Sequence, residues 1–410
     1  MKYRSLLLLL SITFTPLDAQ MNIAQELFDH YESLKLASIT SRRFTQDKML
    51  AWLQPLLDQG QYVSTPVGAS AEGRTIFLLS FGGGPTKVLL WSQMHGDEPT
   101  ATMALLDMLN LFVLQPNHPV VERIRQDLTL LIVPMVNPDG AERFQRRTAQ
   151  LIDLNRDALK LETVEARILK SIRDSHQPDF GFNLHDQDPR YTVGQTRNVT
   201  ALALLAPSLD ESQIDNHTRR RAKYVAAAFV EAMNQFIPGH IARYDDTFEP
   251  RAFGDNIQRW GTSTVLIESG GWMDDHEKMF LRKLNFIGIV SSLYAIATGE
   301  YEKADLNSYE KLPLNGKNFY DMIFRNVRFQ PASAIPPVHL DVAVNLTEQR
   351  NSLTGQIIMM GKIEDLGDLS SFGAFEEYDC RGILLNSTVI DMDKTMRREE
   401  FLDVMIKRKE

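Results

Sequence analysis

The chain has 410 residues, of which 43% are hydrophobic and 24% charged, and its formal net charge is -9. This length exceeds what one hydrophobic core usually serves, so we expect a large domain and a smaller one. The acidic balance and the lack of a dense Lys/Arg tract argue against a nucleic-acid partner. Cys380 is the one cysteine in the sequence, which excludes an intrachain disulfide.

The first residues have the pattern of a secretory signal peptide. Lys2 and Arg4 precede an apolar run at residues 6–14, and Ala19 is a small residue suited to cleavage before Gln20. The apolar run is too short to span a bilayer comfortably. We therefore predict a signal peptide at residues 1–19, export to a periplasm or beyond, and no transmembrane segment in the mature chain.

Helical and strand patterns alternate along the first three quarters of the chain. The predicted elements of the first part, in order, are two helical stripes within 22–57, a hairpin at 61–81, a strand at 87–92, a helix at 100–114, a strand at 128–133 and a turn at 137–140. They are followed by a helix at 161–172, a strand at 179–184, an apolar run at 201–205, a helix at 212–236, a strand at 263–267 and a helix at 275–298. This order predicts an α/β fold, with a mixed, mostly parallel sheet covered by helices on both faces. The predicted domain is 20–310.

A different pattern follows. Val338, Leu340, Val342, Val344 and Leu346 recur at every second position, as in a half-buried strand, and further strands are predicted at 355–363 and 382–390. Residues 394–410 form a charged helical pattern. We predict a small β-rich accessory domain at 325–410 that ends in a helix.

Four polar side chains come directly after predicted strands: His95, Asn137, His185 and Glu268. In α/β sheets, ligands bind beyond the carboxyl ends of the strands, so we expect these four to converge. His95 and Glu98 can supply two ligands to one metal ion, and His185 is the natural third because it ends a strand. The alternative from the residues alone is that these histidines are satisfied by ordinary hydrogen bonds.

Five motifs in a fixed order resemble the zinc carboxypeptidase family. They are His95-Gly96-Asp97-Glu98, Asn137-Pro138-Asp139-Gly140, Arg146 to Arg156, Asn183-Leu184-His185 and Ile267-Glu268-Ser269-Gly270-Gly271. The resemblance implies one Zn²⁺ per chain, with His95, Glu98 and His185 as its ligands. It implies Glu268 as the general base, Arg146 as the residue that stabilises the oxyanion, and Asn155 with Arg156 as the pair that binds the substrate's carboxylate.

Some positions depart from the family pattern. Thr148 and Leu151 stand where an asparagine and a glycine are common, and the Arg146-Arg147 doublet leaves Arg147 as an alternative oxyanion residue. Tyr244 lies at about the place of the family's active-site tyrosine, without a firm motif around it.

The resemblance implies a metallopeptidase that hydrolyses a C-terminal peptide bond of a substrate with a free carboxylate. Two alternatives share the fold: hydrolysis of cell-wall (murein) peptides, and deacylation of N-acyl amino acids. A more remote alternative is a binding protein without catalysis. A serine hydrolase is excluded because no Gly-x-Ser-x-Gly motif occurs.

Overall fold

The computed structural model describes residues 16–350 and 356–406, so residues 1–15 of the predicted signal peptide lie outside the described part. The helices are α1 (Pro16–Leu34), α2 (Gln46–Leu57), α3 (Thr100–Leu114), α4 (Pro119–Asp127), α5 (Pro138–Arg143), α6 (Val164–His176), α7 (His217–Asn234), α8 (Phe253–Arg259), α9 (Met279–Thr298), α10 (Leu306–Glu310) and α11 (Arg398–Ile406). Short 3₁₀ turns lie at Leu154–Arg156 and Glu300–Lys303.

The strands before α9 are β1 (Val63–Ala69), β2 (Thr75–Gly82), β3 (Thr86–Ser92), β4 (Leu128–Val133), β5 (Phe180–Asp186), β6 (Thr192–Val193), β7 (Leu202–Leu205), β8 (Ile241–Arg243) and β9 (Ser263–Ser269). Those after α9 are β10 (Asn315–Gly316), β11 (Phe319–Phe329), β12 (Val338–Arg350), β13 (Ile357–Gly367), β14 (Gly373–Asp379), β15 (Leu384–Leu385) and β16 (Thr395–Arg397).

The large sheet has the strand order β1-β2-β4-β3-β5-β9-β7-β8. Its centre, β4-β3-β5-β9, is parallel throughout, whereas β1, β2 and β7 join by antiparallel pairing. The central strands are buried on both faces and read as apolar runs, which is the pattern expected of a covered parallel sheet. The predicted mixed, mostly parallel sheet is confirmed.

Helices cover both faces of this sheet, as predicted. One face packs against α1, α2, α3, α4, α7 and α9 in the largest hydrophobic core, and the other packs against α6 and α8 in a smaller one. Among the described residues, α9 alone is long and apolar enough to cross a membrane, yet 78% of its apolar window is buried inside this fold. A buried ion pair, Arg282 to Asp107 at 2.5 Å, ties α9 to α3.

Several details differ from the predicted elements. The turn predicted at 137–140 begins α5, because Asn137 caps that helix by accepting a hydrogen bond from the N–H of Gly140. His185 and Glu268 are the second-last residues of β5 and β9 and do not follow these strands. The two residues pair with each other, and the pairing of β5 with β9 continues for one more residue.

The C-terminal region forms a second sheet of order β14-β11-β12-β13-β16, with β15 paired to β11. The β-rich character and the terminal helix agree with the sequence prediction, but β11 and β14 were not predicted, and the strand predicted at 382–390 is reduced to β15. Residue 325, the predicted start of this domain, lies within β11. We call the sheet with α11 the C-terminal sheet.

Ion pairs attach the C-terminal sheet to the larger domain. Arg190, in the loop after β5, binds Asp321 at 2.9 Å, and Arg197 binds Glu377 at 2.6 Å. Arg42 and Arg43 both bind Glu348. The short strands β10 and β6 also pair with each other. These contacts place one face of the C-terminal sheet beside the carboxyl ends of β3, β5 and β9.

Candidate metal centre and active site

Three of the four polar residues expected to converge, His95, His185 and Glu268, lie together at one edge of the sheet. Strands β4, β3, β5 and β9 are adjacent and parallel, so their carboxyl ends meet there. His185 and Glu268 are direct register partners on β5 and β9, which turns their side chains to the same face. Asn137 stands apart from the other three, since its side chain caps α5.

The turn after β3 is tightly constrained. Gln93 has a positive φ of 52°, and its side-chain amide donates to the carbonyl of Gly96. A Cβ at Gly96 would lie 2.0 Å from the carbonyl carbon of Gly140, so only glycine fits there. The close approach of these two backbones directs His95 and Glu98 from one short turn toward the same point.

His95, Glu98 and His185 form a compact buried group. The Nδ1 atom of His95 lies 2.8 Å from Oε1 of Glu98, and Nδ1 of His185 lies 2.7 Å from Oε2 of the same carboxylate. One ligand atom from each residue can be chosen so that all three lie within 4.8 Å of one another, and all three residues are buried. Among the described residues, this is the group of His, Cys, Asp and Glu side chains that could hold a metal ion.

The electrostatics of this group depend on Glu98. Burial would raise its pKa, but the neighbouring His95 and His185 hold the pKa of Glu98 well below its ordinary value. Burial would lower the pKa of His95, whereas Glu98 and Asp153 together raise it to about 9. The carboxylate is therefore kept ionised at the centre of the group.

Asp153 supports the group from outside. It accepts from Nε2 of His95 at 2.9 Å, which leaves Nδ1 of that ring facing Glu98. Its other oxygen binds Arg146 through Nε and Nη2 at 3.1 and 3.0 Å. Asp153 is absent from the site residues predicted from sequence, and the signal that points to it is its position two residues before Asn155 in the same motif.

Arg146 reaches the group, and Arg147 does not. The Nη1 atom of Arg146 lies 3.1 Å from Oε1 of Glu98. Arg147 turns the other way and donates to the carbonyl of Leu151 at 3.0 Å. The geometry therefore favours Arg146 of the two.

Glu268 lies beside the group without a hydrogen bond to it. Its side chain is 7% exposed, and its Oε2 atom is buried with no partner among the described residues. Burial, followed by the charge of Glu98, raises the pKa of Glu268 well above its ordinary value. A carboxyl group with this placement suits proton transfer better than a structural ion pair.

Asn155 and Arg156 lie on the side of α8. The Oδ1 atom of Asn155 accepts from the N–H of Phe253 at 2.8 Å, which orients the amide. Arg156 is partly exposed, donates to the backbone carbonyl of Asn155 at 2.7 Å and has Nε 3.4 Å from Glu249. Its contact with Glu249 is long enough for a ligand carboxylate to compete with it.

The negative charge of Glu268 contributes to the raised pKa of two tyrosines. Burial and then Glu268 raise the pKa of Tyr244, and burial, Asp188 and Glu268 raise that of Tyr191. Tyr244 follows β8 and packs against the small cluster of Val193, Ala203 and Ala242. The structure thus brings Tyr244 near the site, and it adds Tyr191, which the sequence analysis did not single out.

The donor set fits zinc. Two imidazole nitrogens and one carboxylate are the three protein ligands of many catalytic zinc sites, where ligand distances are about 2.0–2.2 Å. Ligand atoms within 4.8 Å of one another need only small movements to reach those distances. The bond from His95 to Asp153 is also the carboxylate–histidine support that zinc ligands commonly have.

Comparison with known proteins agrees with this geometry. Residues 49–185 match the family model described as zinc carboxypeptidase. "Carboxypeptidase 2" of Trichophyton rubrum is 31% identical over 162 residues, which is 39% of this chain and 29% of that protein. "Probable carboxypeptidase 2" of Trichophyton verrucosum is 27% identical over 162 residues, 39% of this chain and 30% of that protein. The chain spans about three tenths of the length of these curated relatives.

Solved structures share the fold. A metallo-carboxypeptidase from Burkholderia cenocepacia is 18% identical and covers 62% of this chain and 70% of its own, with a TM-score of 0.51. The structure of bovine thrombin-activatable fibrinolysis inhibitor in complex with tick carboxypeptidase inhibitor is 13% identical. The match covers 63% of this chain and 98% of that chain, with a TM-score of 0.51. Residues 49–185 are therefore similar to the zinc carboxypeptidase family, and the chain shares the fold of a metallo-carboxypeptidase over about 62% of its length.

Proposed function

We propose that this protein is a zinc-dependent metallopeptidase that hydrolyses a C-terminal peptide bond. The observation that carries the proposal is the buried His95-Glu98-His185 group with the unpaired carboxyl of Glu268 on the neighbouring strand. Zinc held by these three residues would act as a Lewis acid on the carbonyl and lower the pKa of water. The protein's own side chains transfer the protons, stabilise the developing charge and bind the substrate.

Glu268 serves as the general base and acid. It receives the proton of the attacking water and passes it to the leaving amine, and burial together with the charge of Glu98 raises its pKa above the ordinary value, which favours uptake of that proton. Arg146 holds a fixed cation where negative charge develops on the scissile carbonyl. In this structure Asp153 and Glu98 fix the guanidinium through three contacts, so little reorganisation is needed during the reaction.

Asn155 and Arg156 bind the free carboxylate of the substrate. An arginine can bind a carboxylate through two parallel N–H donors, and an oriented amide adds a third. Asn155 contacts the start of α8, and this position sets the proposed direction of the substrate. Its C-terminal residue lies toward α8, and its scissile bond lies over the metal group.

A substrate panel tests the proposal. The panel contains L-amino-acid peptides, murein peptides and N-acyl amino acids, and mass spectrometry measures the products. With zinc present, we expect the protein to release C-terminal residues from the L-amino-acid peptides. Glu268→Gln should lower kcat by about 10²–10⁴-fold while zinc stoichiometry stays at one, since the base is removed and the ligands remain. A fully active Glu268→Gln, or a wild-type protein that binds no zinc, would contradict the proposal. Turnover of murein peptides alone, or of N-acyl amino acids alone, would make that compound class the substrate in place of C-terminal peptides.

The arginine doublet provides a matched pair of variants. We expect Arg146→Ala to lower kcat/KM by about 10²–10³-fold, the usual effect of removing an oxyanion donor. Arg147→Ala should change it little, because within the described part of the chain the Arg147 guanidinium donates to the carbonyl of Leu151 and not to the metal group. Equal losses in both variants would show that Arg146 has no special role. Circular dichroism and zinc content serve as controls for folding.

The support of His95 by Asp153 is open to direct measurement. Asp153→Asn should weaken zinc binding by about 10–100-fold, as loss of a carboxylate behind a histidine ligand typically does. Competition with a chromophoric chelator measures the affinity without any assay of activity. The exposed Asp245→Asn is the control and should retain wild-type affinity. An unchanged affinity in Asp153→Asn would exclude this supporting role.

We also propose that the protein is exported, because Lys2, Arg4 and the apolar run at 6–14 precede a small residue, Ala19. Cleavage before Gln20 would remove the first turn of α1, which begins at Pro16. Mass spectrometry of protein from fractionated cells should find a mature N-terminus at Gln20 outside the cytoplasm. Full-length protein in the cytoplasm would contradict this.

A further inference from the structure

A cavity of about 650 Å³ lies between the metal group and the C-terminal sheet. On one side it reaches Glu98 and Arg146, and on the other it is walled by Leu346, Met359 and Phe375 of the C-terminal sheet. Its volume is in the range of cavities that bind small molecules or short peptide segments. The C-terminal sheet therefore faces the same space as the residues proposed to act on the substrate.

The position of the cavity decides which part of a substrate it can receive. Asn155 and Arg156 do not line it; they lie beside α8, where Phe253 and Glu249 contact them. This inference rests on the proposed function, in which Asn155 and Arg156 bind the C-terminal residue of the substrate. The cavity reaches Glu98 and Arg146 but not this pair, so it is placed to receive the part of the substrate upstream of the scissile bond.

The cations that line the cavity are already paired, and carboxylates outnumber them in its wall. Each Lys and Arg among the described lining residues forms an ion pair with a carboxylate: Arg42 with Glu348, Arg146 with Glu98, Arg190 with Asp321, Lys278 with Asp186 and Arg398 with Glu376. A ligand carboxylate would therefore have to displace a partner, and Asp97 adds an unpaired buried carboxylate oxygen. An acidic upstream residue is disfavoured on both counts.

One neutral donor in the wall lacks a protein partner. The side chain of Gln187 is 9% exposed, and its Oε1 atom accepts from Asn315 at 2.6 Å, which fixes the orientation of the amide. Its Nε2 atom is buried with no hydrogen-bond partner among the described residues. A buried amide donor is costly to leave unpaired, and a peptide carbonyl is a suitable acceptor for it.

The opposite wall is apolar and held in place. Met359 is the register partner of Glu348 on the neighbouring strand, and Glu348 is bound by Arg42 and Arg43 of the larger domain. Phe375 packs against the backbone of Gly271, where an added Cβ would lie 3.0 Å from its ring. These contacts hold the wall at a set distance from the metal group.

We propose that the C-terminal sheet forms part of the substrate-binding site, and that the cavity binds the residue immediately upstream of the scissile bond. The bound residue is neutral and apolar. Its backbone carbonyl accepts from Nε2 of Gln187, and its side chain packs against Met359 and Phe375. The C-terminal sheet thus selects substrates and does more than stabilise the larger domain.

The test uses N-acetyl dipeptides with Leu or Glu at the upstream position and one shared C-terminal residue, chosen as the best in the substrate panel. We expect the full-length zinc-loaded protein to favour Leu over Glu by about 10-fold or more in kcat/KM, the scale of one well-packed apolar contact. Met359→Ala should lower that ratio by at least 5-fold, mainly through KM for the Leu peptide. Met359→Leu should restore it, and Ile357→Ala, an exposed side chain on the same strand, should leave it unchanged.

The backbone contact is tested separately. Gln187→Leu should raise KM for both dipeptides by about the same factor, because the carbonyl is common to both. An equal rate for the Leu and Glu peptides in the wild-type protein, or an unchanged ratio in Met359→Ala, would overturn the cavity assignment alone. If the wild-type protein hydrolyses no peptide of the panel, the proposed function fails and the assignment fails with it.

Discussion

The burial of the Glu98 carboxylate between two imidazoles is the interaction on which the rest of the site depends. A carboxylate taken out of water costs several kcal/mol unless cations and hydrogen bonds compensate for it. Here His95, His185 and Arg146 surround it, and the N–H of Asp186 donates to it at 3.2 Å. Because these groups come from separate segments, the site exists only when the whole sheet is assembled.

Strand register is what brings these segments together. His185 and Glu268 are aligned across β5 and β9, and a slip of one residue in either strand would turn one of the two side chains to the opposite face. The buried apolar residues on both faces of these strands fix the register, since a slip would also exchange the residues packed in the two cores. Catalytic geometry and hydrophobic packing are therefore specified by the same alternation.

This coupling explains how much of the molecule could be predicted from its sequence. The central strands are apolar runs ended by polar residues, and this pattern predicts His95, His185 and Glu268 at one edge of the sheet. The role of Asp153 could not be found in this way, because the loop that carries it is placed by tertiary contacts with Arg146 and His95. The doublet of Arg146 and Arg147 was ambiguous for the same reason. Sequence order does not say which of two adjacent side chains turns inward.

The C-terminal sheet illustrates the limit more sharply. Alternation in β12 shows that one face of this strand is buried, but it does not say what covers either face. The answer depends on ion pairs between residues far apart in sequence, such as Arg190 with Asp321 and Arg43 with Glu348. These pairs are partly buried, and charge pairs between two surfaces fix their relative orientation more than they add stability. Several pairs at the rim of one cavity fix the distance between the metal group and the apolar wall, and that distance limits how large an upstream residue can be.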